Sequence, residues 1–242
     1  MARSGLSRGW HEEHDLGSEG LHPALVALRQ RALEQAGGRP AEARAGRSGR
    51  GALQRTAVAV SHAVSPPVTA VAAFVLLAAR EQGARTWLWT GVELLLVVVA
   101  PLVALALMLR RGEVDDLEVT DRRQREAPML LTLLCSWFAL FVLDRAGAPA
   151  AMRELSLVYA LLALWLQVIT RRFKISVHAA GVAVFGTLVW SLTGSPAWLA
   201  VGWIVVGAAR LVLGRHTPAE VVAGGMLGAG LVAIFAGGFT GI

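Results

Sequence analysis

Cysteine is all but missing from this 242-residue chain, with Cys135 the single example. One thiol excludes an intramolecular disulfide and a cysteine-based metal site. It sits inside an apolar run, where a small buried hydrophobe is the ordinary reading. Lysine is as scarce: Lys174 stands alone among 23 strong bases, so arginine carries the formal net charge of +6. A basic balance suits nucleic acid or an anionic membrane surface. The arginines here lie between apolar runs, which favours the membrane and argues against a nucleic-acid partner. The first 20 residues lack an apolar core and carry Glu12, Glu13, Asp15 and Glu19, so no signal peptide is expected.

What is abundant is apolar mass. Hydrophobic residues make up 55% of the chain, against about 45–50% in soluble domains, and mean hydropathy is +0.55. Residues 1–55 are polar, rich in Gly, Ala, Arg and Glu, and read as a disordered tail. Within it, Pro23 to Gln35 has the pattern of a short amphipathic helix. His11 and His14 have no further ligands nearby to make a metal site. The apolar runs follow at about 56–79, 86–109, 128–144, 152–170, 177–194, 197–213 and 218–240. They are continuous rather than alternating, and a spanning helix needs about 20 such residues. The expected fold is therefore all-α: a polytopic membrane helix bundle of six or seven transmembrane helices over residues 56–242. Pro66-Pro67 should kink the first run or delay its start. Gly224 and Gly228 form a Gly-x-x-x-Gly pair suited to close helix packing. Trp87, Trp89, Trp190 and Trp198 fall near run ends, where indoles prefer the interface.

The connections alternate in charge. Arginines crowd the tail before the first run (Arg44, Arg47, Arg50, Arg55), and the loop after the second (Arg110, Arg111, Arg122, Arg123, Arg125). They recur after the fourth (Arg171, Arg172, with Lys174) and the sixth (Arg210, Arg215). By the positive-inside rule these loops face the cytoplasm. The loops after runs two, four and six are each two spans apart, so they share one side of the membrane whichever way the chain is oriented.

Two of these loops hold ordered polar residues. One reads Lys174-Ile175-Ser176-Val177-His178; the other runs from Ala209-Arg210 through Gly214-Arg215-His216-Thr217-Pro218 to Glu220. Over about residues 86–240 the pair resembles the type 2 phosphatidic acid phosphatase superfamily. That family has a Pro-Ser-Gly-His block followed by a Ser-Arg-x5-His-x3-Asp block. Ser176, His178, Arg210 and His216 match in order and spacing. Ile175, Val177, Ala209 and Glu220 stand where the family has Pro, Gly, Ser and Asp. The family's upstream Lys-x6-Arg-Pro block is echoed out of register by the stretch from Asp121 to Pro128, so Arg122 and Arg125 are assigned on position and charge.

The residue types fit phosphoryl transfer, in which cations must neutralise charge on the equatorial oxygens. Arg210, with Arg122 and Arg125, offers bidentate forks; Lys174 adds a point charge and Ser176 a hydroxyl donor. The resemblance implies His216 as the nucleophile that forms a phosphohistidine and His178 as the general acid. Glu220 is the carboxylate positioned to orient His216. No metal or other cofactor is required. The expected activity is hydrolysis of a lipid phosphomonoester or diphosphate, such as a polyprenyl phosphate, a phosphatidate-like lipid or a prenyl-linked sugar phosphate. The alternatives are a lipid phosphotransferase using the same nucleophile, and a catalytically impaired protein that binds anionic lipid. A transporter is disfavoured because charges are scarce within the runs.

Plainer roles compete for the same residues. Thr217-Pro218-Ala219-Glu220 is also a helix start, with Thr as N-cap, Pro at N1 and Glu closing a capping box. Arg210 alone reads as an interfacial anchor, and so do Arg171, Arg172 and Arg215. Asp115, Asp116, Glu118 and Asp121 raise magnesium-diphosphate binding, but they form no Asp-x-x-x-Asp and no second acidic cluster follows, so a solvated loop is the default.

Overall fold

The computed structural model describes residues 40–116, 119 and 122–240, with side chains over 51–116, 119 and 124–239. The stretch Pro23–Gln35, His11, His14, Glu118 and Asp121 lie outside it, as do the side chains of Arg122 and Arg123. The chain divides into two compact units, Met1–Gly51 and Ala52–Ile242.

The described residues are predominantly helical, with no strand among them. Helix α1 (Pro40–Ala63) is followed by α2 (Pro66–Glu81). Residues 40–55, expected within the disordered tail, are thus helical; Ala and Arg dominate them, and both are good helix formers. Pro66 and Pro67 lack an N–H and begin α2 with a 44° bend from the Gly51–Ala63 part of α1. Next come α3 (Ala84–Leu94), a π-helical segment (Leu95–Val99) and α4 (Ala100–Arg110), which together make one long helix. Pro101 explains the π segment: it has no amide for the Val97 carbonyl, and the wider turn relieves its ring. A 3₁₀ turn (Arg122–Arg125) leads into α5 (Glu126–Arg145). The chain ends with α6 (Ala150–Thr170), α7 (Val177–Thr193), α8 (Ala197–Val212) and α9 (Pro218–Thr240).

Four of these helices are long and apolar enough to cross a membrane: Ala84–Arg110, α5, α6 and α9. Counted as one span, Gly51–Ala63 together with α2 makes five. That is fewer than the six or seven expected, because α7 and α8 stop at 17 and 16 residues. At 1.5 Å per residue they reach only about 25 Å, short of the ~30 Å hydrocarbon core.

Helix α7 is the centre of the bundle and packs against α2, α8 and α9. Gly224 and Gly228 set its distance from α9: a Cβ at either would run into the Ser176 or the Ala180 carbonyl oxygen, respectively. The outer surface is apolar, with Leu88, Val103, Phe138, Ile204 and Ile234 all exposed, as a lipid-facing surface requires. Trp87, Trp190 and Trp198 are exposed near helix ends, whereas Trp89 turns inward.

Candidate phosphate site

The site is built from two helix ends and the turn that joins them. Helix α8 closes in a Schellman motif: the Gly214 amide donates to the Leu211 carbonyl (2.9 Å) and the Arg215 amide to the Arg210 carbonyl (3.1 Å). Gly214 adopts φ 63°, which glycine reaches without a Cβ penalty. This reversal needs the residues between Arg210 and His216, so the spacing of the two has a local cause. Helix α9 then starts in a full capping box. The Glu220 amide donates to Thr217 Oγ1 (3.4 Å), and the Thr217 amide donates to Glu220 Oε2 (3.1 Å).

The same Glu220 oxygen accepts from His216 Nδ1 at 2.9 Å. Capping and orienting therefore coexist on one carboxylate. A carboxylate only accepts, so Nδ1 carries the proton and Nε2 keeps its lone pair. His216 is buried. Burial pushes its pKa down to about 4 from the usual 6.5; the hydrogen bond to Glu220 opposes this, and the charges of Arg210 and Lys174 add to it. The imidazole is thus neutral at physiological pH, beside two cations.

Arg210 is 3% exposed, and its Nη1 donates to Ser61 Oγ, in the last turn of α1, at 2.7 Å. Ser61 was not a candidate from the sequence; a single serine in an Ala/Val run carries no motif. The Ser176 amide donates to the Glu220 carbonyl at 3.1 Å, which ties the start of α7 to the start of α9. Ser176 is fully buried, and its hydroxyl accepts the Ala179 amide as the N-cap of α7. Lys174, two residues earlier, is half-buried and acts electrostatically on His216. His178, also half-buried, stands in the first turn of α7 at the same end of the bundle.

The structure thus brings together His216, Glu220, Arg210, Lys174 and Ser176. Arg125 is arranged differently. It is buried, and its Nε donates to the Val119 carbonyl in the connection before α5. Arg122 has its backbone in the 3₁₀ turn and its side chain outside the described residues. No family model, curated protein or solved structure matches this chain. The chemistry of the site therefore rests on its own geometry. A neutral imidazole with a defined tautomer, next to a buried guanidinium and an ammonium, is equipped to bind an oxyanion and to attack it.

Proposed function

We propose that this chain is a multi-pass cell-membrane phosphatase acting on a lipid phosphomonoester or diphosphate through a phosphohistidine. The observation that carries the reading is the His216 ring, with Nδ1 fixed by Glu220 at 2.9 Å and Arg210 and Lys174 acting on it. His216 Nε2 attacks phosphorus and the bond to the lipid oxygen breaks. His178 gives that oxygen its proton. Arg210 and Lys174 neutralise the phosphoryl oxygens through the transition state. Water then gives a proton back to His178 as its oxygen attacks phosphorus, the P–N bond breaks, and the neutral His216 ring is restored. The apolar exterior suits a substrate that arrives through the bilayer, and the arginine-rich loops favour a cytoplasmic site.

The test is phosphate release by the purified protein in detergent, without added metal, across a panel of lipid phosphates. His216→Ala is expected to lower release by about 10³-fold or more while expression is unchanged. An acid-labile phosphoenzyme should be trapped in the wild type and absent from the variant. Equal turnover by both proteins across the panel refutes the reading. A phosphoenzyme that discharges only when an alcohol or sugar is added identifies a phosphotransferase instead.

A further inference from the structure

The proposed phosphate chemistry leaves a second polar cluster unused. Helix α3 is exposed along most of its surface, and the residues it buries are Thr86, Thr90 and Glu93. In an otherwise apolar helix, the face turned to protein is thus the polar one. Glu93 is fully buried, and both its carboxyl oxygens lack a hydrogen-bond partner. The Ser156 hydroxyl lies beside it without completing a well-formed bond. Tyr159, one turn further along α6, is within electrostatic reach of Glu93, and its hydroxyl has no partner. The buried Trp89 indole N–H, one turn before Glu93, has none either.

The depths agree. Glu93 lies nine residues past the start of α3, and Ser156 and Tyr159 lie six and nine past the start of α6. These are about 9–14 Å below one end of the bundle. That end is opposite the phosphate cluster: there Arg85 donates to the Ala146 and Gly147 carbonyls, and Arg153 pairs with Asp144. Thr86 and Thr90 form a polar line from the start of α3 toward Glu93. No fully buried residue of the elements packed against α3 is charged; the charges near the start of α6 are Arg153, paired with Asp144, and Glu154, which lies beside Gly238 of α9. The buried residues of α2 and α5 are uncharged, the π segment is aliphatic, and α6 contributes only Tyr159 among titratable buried groups. Glu81 accepts from Thr86 at the mouth.

Unpartnered polar atoms in such an interior each carry a desolvation penalty, and a lone carboxylate carries a large one. One carboxylate with two hydroxyl-bearing side chains beside it is a set of oxygen ligands. We propose that Glu93, Ser156 and Tyr159 form a binding site for one small monovalent cation, Na⁺ or a proton. The single carboxylate balances a single positive charge, whereas a divalent ion would leave excess charge buried. Oxygen ligands suit a hard cation. The Trp89 N–H completes the shell by donating to the carboxyl or to a bound water. The π segment directly after Glu93 loosens the backbone ladder at the site, as π-bulges do at many functional positions.

The test uses the full chain in detergent and a carbodiimide, which modifies carboxyls in their protonated form. Modification of Glu93 is followed by mass spectrometry across pH, in choline or sodium buffer. If Na⁺ is the occupant, adding it at fixed pH slows modification by about tenfold or more. If a proton is the occupant, only raising the pH does so. In either arm Ser156→Ala and Tyr159→Phe, both mild changes, shift the midpoint by about threefold or more. A rate indifferent to both pH and Na⁺, no modification of Glu93 in any buffer, or midpoints identical in both variants overturns the site.

Discussion

The two polar clusters of this bundle solve opposite problems. At one end, His216 and Thr217 are hydrogen-bonded to Glu220 at 2.9–3.4 Å, and Arg210 to Ser61 at 2.7 Å. Near the other, Glu93, Ser156, Tyr159 and Trp89 are buried together with atoms left unpaired. The first cluster is held before any ligand arrives, which is the condition for electrostatic stabilisation of a transition state. On the proposed reading, the second is completed by the cation it binds. Both are costly in an apolar setting. The difference shows that burial of charge alone does not reveal a role; the state of the partners does.

The contrast breaks most severely if the paired cluster tolerates loss of its guanidinium. Arg210→Lys keeps one positive charge but cannot hold Ser61 and fork onto an anion together. Phosphate release is expected to fall about 10²–10³-fold, with the melting temperature little changed. A loss below threefold in kcat/KM would place Arg210 among the interfacial anchors. Glu220→Gln is next. Glutamine can still accept the Thr217 amide, so α9 keeps its start, but the carboxylate on His216 is gone. A loss of about 10²-fold is expected. Because Glu220 raises the His216 pKa, the acid limb of the pH–rate profile should move below its wild-type position near about 4.

The same value sets a stability prediction. The folded pKa of His216 lies below its unfolded value, so the unfolded chain binds more protons between about 4 and 6.5. The contribution is greatest above 6.5, is lost as pH falls through that window, and is flat below it. Melting temperatures at pH 7 and pH 4.5 should therefore differ by several degrees in the wild type and by less in His216→Ala. Equal differences in the two proteins would assign the acid sensitivity to other groups.

Much of the paired cluster was legible because it is local. Arg210, Gly214, His216, Thr217 and Glu220 lie within one turn and two helix ends, and both the capping box and the family-like spacing are written there. Helix class was legible from run continuity. The number of spans was not, since apolar runs do not mark where α7 and α8 are cut short. Glu93 escaped notice because a single acid disappears in a strongly apolar run. Its meaning depends on which face of α3 turns inward; Thr86, Thr90 and Glu93 share that face at helical spacing, but two threonines are too weak a polar signal in an apolar run to mark it. The disfavouring of charge within the runs was thus drawn on the average rather than on the residue.

Ser61 is the hardest case and gives the smallest expected effect. It lies 149 residues from Arg210, on a helix with no motif, and it only directs the guanidinium. Ser61→Ala removes one hydrogen bond to a charged group, worth about 1.5–3 kcal/mol when buried. Part of that is recovered if Arg210 turns its Nη1 to the substrate. The net loss in kcat/KM is expected at about tenfold, with KM rising more than kcat falls, because the bond orders the anion-binding group rather than the reacting atoms. Ser61→Thr retains the hydroxyl and should restore most of the activity. If alanine and threonine behave alike, the hydroxyl is incidental, and the preorganisation attributed to this end of the bundle stops at His216 and Glu220.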